Sequence, residues 1–277
     1  MTITREQKYR AFRALHERPG AFVIPNPWNA GTARILTALG FEALATTSAG
    51  YAFAVGRRDS GTDLTRDGTL ANAKEIVEAT DLPVSADLQD GFGQEPEMCV
   101  ETIRLASETG LAGGSIEDAT GDPNAPIYEF QLAVERVAAA AKAAHNCQFL
   151  LTARAENFLH GRPDLADTIR RLQSFAEAGA DVLYAPGLPS LAAIRKVCAS
   201  VGKPVNVVMG LKGATFSVEE LAAAGVKRIS VGGTLARAAL GAFVRAAREI
   251  KENGTFTYSS EALPPAEAKA FMAAGKR

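Results

Sequence analysis

The sequence predicts a single α/β domain, a closed (β/α)₈ barrel of the TIM type, and three observations carry that expectation. Short apolar and β-branched runs recur near residues 21–25, 43–47, 83–87, 112–117, 148–153, 181–185, 204–209 and 227–231, with longer amphipathic stretches between them. One phrase repeats at four junctions, Leu39-Gly40-Phe41, Thr109-Gly110-Leu111, Ala178-Gly179-Ala180 and Ala224-Gly225-Val226. Each places a helix-ending Gly just before a strand. Strands alternating with helices favour a buried parallel sheet. Eight such units in 277 residues suit a barrel, which needs about 250. No Gly-rich dinucleotide loop follows the first strand, which argues against an open Rossmann sheet.

Taken in order, the first strand ends in Asn26-Pro27-Trp28-Asn29 and the second in Thr46-Thr47-Ser48-Ala49-Gly50. The third ends in Asp87-Leu88-Gln89-Asp90-Gly91, the fourth in Glu117-Asp118, and the fifth in Arg154 with Glu156 beyond. The sixth ends in Pro186-Gly187, the seventh runs through Asn206 to Met209-Gly210, and the eighth ends in Gly232-Gly233-Thr234. Residues 95–110 place Met98, Ile103, Leu105 and Ala106 among charged neighbours, and 164–179 place Leu165, Ile169, Leu172, Phe175 and Ala176 at helical spacing. Asp164 is the expected N-cap of the second of these helices and Gly179 its stop. A last helix near 233–252 precedes a polar, Pro-containing tail, 253–277, expected to be loosely ordered or packed on a neighbouring subunit. No linker divides residues 1–277, and the strand bodies read as almost wholly apolar.

Composition narrows the function. With 47% hydrophobic and 22% charged residues the chain reads as a soluble globular protein with a sizeable core. A net charge of −1 gives no electrostatic footprint for nucleic acid or anionic membrane. Residues 1–20 lack the apolar core of a secretory leader, and no apolar run is long enough to span a bilayer. Cys99, Cys147 and Cys198 are scattered without metal-ligand spacing, so reduced thiols and a cytoplasmic location are expected. His16, His145 and His160 stand outside any motif and read as surface side chains.

In such a barrel the active site lies at the C-terminal ends of the strands. Asp59, Asp87 and Glu117 fall on that rim, with Arg154 opposite. Converging carboxylates repel unless a cation offsets them. Oxygen donors without His or Cys suit Mg²⁺, which takes one or two carboxylates and keeps several waters. The Arg154 guanidinium matches a carboxylate or an enolate oxygen.

Five stretches in this order are similar to the isocitrate lyase/phosphoenolpyruvate mutase superfamily, over about Phe22 to Gly241: Thr47-Ser48-Ala49-Gly50, Arg58-Asp59-Ser60, Asp87-Leu88-Gln89-Asp90-Gly91-Phe92-Gly93, Ile116-Glu117-Asp118 and Ala153-Arg154-Ala155-Glu156. The resemblance implies an eighth helix exchanged between paired subunits and a homo-oligomer, dimer or tetramer. It implies Mg²⁺, with Mn²⁺ as the alternative. Asp87 matches the direct metal ligand, and Asp59 and Glu117 match acids that hold the metal through water. Arg154 matches the substrate-contacting arginine, Thr47, Ser48 and Ala49 the turn whose amides hold a substrate carboxylate, and Trp28 a pocket wall. The chain departs from the pattern at Gln89, where members carry a second Asp; an amide still orients a metal-bound water. It departs again in the loop Ala119-Thr120-Gly121-Asp122-Pro123-Asn124-Ala125-Pro126, which holds no Cys, His or Lys. That argues against isocitrate cleavage by a Cys acid and against the mutase loop with its Lys.

The resulting expectation is a Mg²⁺-dependent carbon–carbon lyase acting on a small 2-oxo (di)carboxylic acid, such as oxaloacetate, through an enolate. The metal polarises the keto oxygen, Arg154 stands where charge develops, and the Thr47–Ala49 turn anchors the remaining carboxylate. Decarboxylation needs no general acid; retro-aldol or hydrolytic cleavage needs a base, for which Asp59 or a metal-bound water is available. Two rivals stand beside it: phosphonopyruvate hydrolase or mutase chemistry, and a non-catalytic small-molecule binder, favoured by Gln89 and the bare loop. Plainer readings also hold: Asp59 as a turn residue, Asp118 at a helix N-terminus, Thr46–Ser48 as helix caps, and Gly232-Gly233 as a close turn or a phosphate site.

Overall fold

The computed structural model describes residues 3–59, 63–213 and 215–273. Ser60 of the Arg58-Asp59-Ser60 stretch, residues 1–2 and the last four residues of the tail lie outside these. Eight strands form: β1 (Phe22–Ile24), β2 (Leu44–Ala45), β3 (Val84–Asp87), β4 (Gly113–Glu117), β5 (Leu150–Arg154), β6 (Val182–Tyr184), β7 (Val205–Val208) and β8 (Arg228–Ser230). All pair in parallel in the order β1-β8-β7-β6-β5-β4-β3-β2. β1 and β2 share no ladder. They are joined by the Ala45 N–H donating to Pro25 O (3.0 Å) and by Asn26 Nδ2 donating to Thr46 O (2.8 Å), so the barrel is nearly closed.

Each observed strand falls within or one residue beyond its predicted run. Helix α5 (Pro96–Glu108) and helix α7 (Leu165–Glu177) also match the sequence reading, and Asp164 caps α7 by accepting from the Ala166 and Asp167 N–H groups. Gly179 ends that unit at φ 106°, a conformation costly to any residue with a Cβ.

The strand bodies are not wholly apolar, and the reason is the two-residue period of a strand. Val84, Ala86, Leu151, Ala153, Val205, Val207 and Ile229 point outward and pack in the main core under the helices. Their alternates, Ser85, Ser115, Thr152, Asn206, Arg228 and Ser230, are buried polar residues. Barrel interiors are usually filled by bulky branched side chains; here the middle layer is small and polar, which leaves room. Below it the interior is sealed by helix α1 (Arg5–Glu17), whose Phe12 and Leu15 pack on Phe22, Ile24, Leu150 and Val182.

Helix α10 (Thr234–Asn253) follows β8 and buries only Ala236, leaving Leu240, Phe243 and Val244 exposed. The tail is not loosely ordered over its described part. A 3₁₀ turn (Thr257–Glu261) leads to α11 (Pro265–Ala273), which returns to α2 (Ala30–Ala38) of the same chain, where Arg34 Nη1 donates to Met272 O at 2.9 Å. Among the described residues no helix is long and apolar enough to cross a membrane.

Candidate active site

The turn after β3 is the most strained backbone at the rim. Gln89 (φ 50°), Gly91 (φ 87°) and Phe92 (φ 63°) all lie in the left-handed region, where non-Gly residues are uncommon. A Cβ on Gly91 would stand 2.9 Å from Cys99 Sγ, so that position requires glycine. The turn is held from beneath by Arg136, which is 1% exposed and donates to the carbonyls of Asp90, Gly93 and Gln94. Its guanidinium also lies 4.2 Å over the Tyr128 ring, and the Tyr128 hydroxyl donates to Asp90 Oδ2 at 3.0 Å. Asp90 is thereby committed to the scaffold.

This scaffold aims Asp87 at Arg154. Arg154 Nη1 lies 3.1 Å from Asp87 Oδ1 and 3.0 Å from Glu117 Oε2, and Nη2 lies 2.7 Å from Glu156 Oε1. The guanidinium is also 4.9 Å from the Tyr184 ring centre. Burial works against the charge of Arg154, and the Glu117, Glu156 and Asp87 carboxylates outweigh it, so it stays firmly protonated. Burial lifts Glu117 well above the usual carboxylate range; Arg154 opposes this, and Glu156, Asp87 and Asp90 add to it. Asp59 is raised by desolvation and by Asp87, against a hydrogen bond from Ser48 and the Arg154 charge.

The turn after β2 completes the rim. Thr47 is the N-cap of α3 (Ser48–Ala54), its Oγ1 accepting from the Gly50 N–H at 3.3 Å. The Ser48 N–H donates to Asp87 Oδ2 at 3.1 Å, and the Asp87 N–H donates to Thr46 Oγ1 at 2.9 Å. The turn therefore positions Asp87 as well as facing the cavity with Thr47, Ser48 and Ala49.

Two adjoining cavities meet at Ser48, Asp59, Arg154 and Leu159. The outer one, about 440 Å³, is bordered by Gln89, Glu117, Glu156, His160 and the 119–126 loop. The inner one, about 390 Å³, descends past Asp87 into the polar middle layer and reaches Arg228. Asp87, Glu117 and Arg154 are thus in direct contact, with Asp59, Gln89 and the Thr47–Ala49 turn around them. Trp28 is not among the residues lining either cavity; it packs beside Gly50 and its carbonyl accepts from Asn72 Nδ2 at 3.0 Å.

Two readings of single residues change. Asp118 is not at a helix N-terminus. It is 3% exposed, accepts from the Glu156 N–H (2.8 Å) and pairs with Arg171 (3.0 Å), and burial, only partly offset by these partners, raises it to about 6. His16 is not a surface side chain. It is 6% exposed, meets the Phe12 and Phe22 rings edge-on at 4.8 and 5.0 Å, and its Nδ1 lies 2.8 Å from Phe12 O. Burial and then the Arg228 charge lower it to about 3. His145 and His160 keep partly exposed side chains beside Asp181 and Glu156. The sequence reading also missed Arg136, Arg171, Tyr184 and Arg228. For Arg228 a signal existed: Arg228-Ile229-Ser230 alternates polar and apolar, the mark of a strand with a polar inner face.

Whether these residues suit a metal turns on the donor set. Among the described residues no group of three or more His, Cys, Asp or Glu side chains converges to cage an ion. Mg²⁺ needs only one or two carboxylates and retains water, so a smaller donor set such as Asp87 with its neighbours is enough for it. Gln89, which borders the outer cavity, carries a buried Oε1 without a hydrogen-bond partner among the described residues. The donor set fits a hydrated Mg²⁺ on Asp87.

Residues 12–251 match the sequence profile described as phosphoenolpyruvate phosphomutase. The chain is 57% identical to a protein of Burkholderia cenocepacia J2315 described as a candidate lyase/mutase; the match covers 97% of this chain and 96% of that one, with a TM-score of 0.94. It is 27% identical to 2,3-dimethylmalate lyase, covering 96% and 94% of the two chains at a TM-score of 0.85. It is 30% identical over 226 residues to 2-methylisocitrate lyase of Escherichia coli K12, covering 78% of this chain and 75% of that one.

Proposed function

We propose that this chain, an enzyme that belongs to the isocitrate lyase/phosphoenolpyruvate mutase superfamily, is a Mg²⁺-dependent lyase that cleaves a carbon–carbon bond of a small 2-oxo or 2-hydroxy carboxylic acid. The observation that carries this reading is the contact of Arg154 with Asp87, Glu117 and Glu156 at the junction of two cavities. One fixed cation stands there among three acidic side chains, with Asp59 close by, and the lift of Glu117 and Asp59 marks the cost of negative charge at this rim. Mg²⁺ bound at Asp87, with Asp59, Glu117 and Gln89 acting through water, would offset that charge and polarise a substrate carbonyl.

The chain's own residues supply the rest. Arg154 cannot lose its proton, and its fork faces the place where an enolate oxygen would gain charge. Glu156 and the Tyr184 ring hold that fork in position. The strained turn over Arg136 and the Ser48 N–H orient Asp87. Thr47 and Ala49 border the inner cavity, where a carboxylate of the substrate would lie. The loop 119–126 is a short turn, with Thr120 Oγ1 donating to Ala125 O at 2.6 Å, and it offers no Cys, His or Lys to the outer cavity. Decarboxylation, which needs no proton donor in the bond-breaking step, suits it. The exposed apolar face of α10 suits the exchange of that helix with a second subunit.

Oxaloacetate, 2-methylisocitrate and 2,3-dimethylmalate each release pyruvate on such cleavage. Purified protein is therefore incubated with each in excess MgCl₂ or in EDTA, and pyruvate is followed with lactate dehydrogenase against the metal-only rate. Turnover that disappears with EDTA is the expected result. Absence of pyruvate from all three, with phosphate released from phosphonopyruvate, would move the enzyme to phosphorus–carbon chemistry.

A further inference from the structure

The inner cavity ends on a buried cation that the lyase reading leaves without a task. Arg228 is 5% exposed and borders the cavity floor. Its Nε donates to Asn206 Oδ1 (2.9 Å), its Nη2 donates to Thr152 Oγ1 (2.9 Å), and its Nη1 stands 3.5 Å from His16 Nε2. All three partners are neutral, because His16 is held uncharged by burial and by Arg228 itself. No carboxylate among the described residues pairs with it. The other arginines this deeply buried among the described residues behave differently: Arg171 has Asp118 and Asp167, and Arg136 donates to three backbone carbonyls of one turn. A buried charge without a counter-charge is costly, and arginine cannot escape by losing its proton.

The surroundings give that charge an outlet on one side only. α1 closes the barrel below it, and the cavity opens above it toward Arg154 and Asp87. Thr152, its anchor on β5, lies two residues before Arg154, about 7 Å along the strand. Three of its five N–H groups face Asn206, Thr152 and His16, which leaves two for a ligand.

We infer that Arg228 is the docking point for a second carboxylate of the substrate, so that the enzyme selects dicarboxylic over monocarboxylic acids. The inference rests on the lyase reading of the same cavity and specifies its substrate class. The rim holds the reacting end of the molecule through the acids, Arg154 and their metal. The floor holds the other end through the Arg228 fork, with Asn206 and Thr152 keeping that fork in place. Arg228 touches the far carboxylate and not the carbonyl that the metal would polarise, so it governs affinity and length selection.

Calorimetry in excess MgCl₂ tests this with three probes: oxalate, which reaches only the rim; pyruvate; and 3,3-difluorooxaloacetate, a stable four-carbon acid that carries the second carboxylate. Wild-type protein is expected to bind the four-carbon acid about ten- to a hundredfold more tightly than pyruvate. R228Q should abolish that preference while oxalate binding stays unchanged. R228K, which keeps the charge and loses the fork, should fall between them. A merely structural role would weaken all three probes together. The inference is overturned if the wild type shows no preference for the four-carbon acid, or if R228Q retains it. Should R228Q fail to fold, the wild-type preference and its partial loss in R228K decide. Oxalate that binds wild type while the preference is absent leaves the lyase reading standing; failure of all three probes to bind removes both.

Discussion

The two ends of the inner cavity carry opposite electrostatic imbalances. At the rim, Arg154 meets three carboxylates, each within 3.1 Å, and Asp59 adds to the negative side. On the floor, Arg228 meets an amide, a hydroxyl and a neutral imidazole. The first imbalance calls for a cation and the second for an anion. On the proposed function, a dicarboxylate held through Mg²⁺ would satisfy both at once, one end against the metal and the other against Arg228. The two arginines share the same chemistry, and both lie largely out of solvent. What each does is decided by the charges around it.

That contrast can be broken most sharply at the rim. Arg154→Ala removes the guanidinium that contacts Asp87, Glu117 and Glu156, and kcat should fall at least about a hundredfold, the scale seen when one preorganised donor to a developing oxyanion is lost. Circular dichroism of the variant confirms that the fold survives; a kcat within tenfold of wild type would remove Arg154 from the chemistry.

The floor is probed next through His16. The unfolded chain takes up a proton on this imidazole near pH 6.5, whereas the folded protein resists it until about 3. The folded state therefore binds fewer protons between those values, and stability present above 6.5 is lost as the pH falls. The slope is about 1.4 kcal/mol per pH unit, or about 2 kcal/mol between pH 6.5 and 5. Urea unfolding of wild type and His16→Phe at pH 7 and pH 5 measures it. The variant should lose less on acidification by roughly that amount; equal losses would mean His16 charges freely beside Arg228.

The smallest effect sharpens the metal side. Gln89→Asp adds a carboxylate near Asp87 at a left-handed position that Asp tolerates better than Gln. Mg²⁺ affinity, followed by calorimetric titration, should rise about three- to tenfold through the added charge. An unchanged affinity would show that this side chain does not face the ion.

Much of the rim was legible in one dimension because the barrel places strand ends together whatever the loops do. Asp87, Glu117 and Arg154 each terminate a strand in the sequence, and each terminates one in space. Trp28 also follows a strand end, yet its side chain packs beside Gly50. Which way a residue past the strand turns depends on its neighbours in the fold, and no spacing encodes that. Asp118 was misplaced for a related reason: its partner Arg171 lies 53 residues further along the chain.

The sequence by itself determined the periodicities: eight strands with Gly-punctuated helix ends, the capped helix after Asp164, and acids and an arginine at one end of the strands. These are local properties, set by side-chain size, backbone freedom and alternation over a few residues. Only the tertiary structure decided that Arg228 is buried without a counter-charge, that His16 lies under the barrel between two phenyl rings, and that one guanidinium bridges Asp87, Glu117 and Glu156. Those facts arise when strands far apart in the chain wrap around one axis. The inward face of each strand then meets the inward faces of strands it never adjoins in sequence, and burial fixes which charges are compensated.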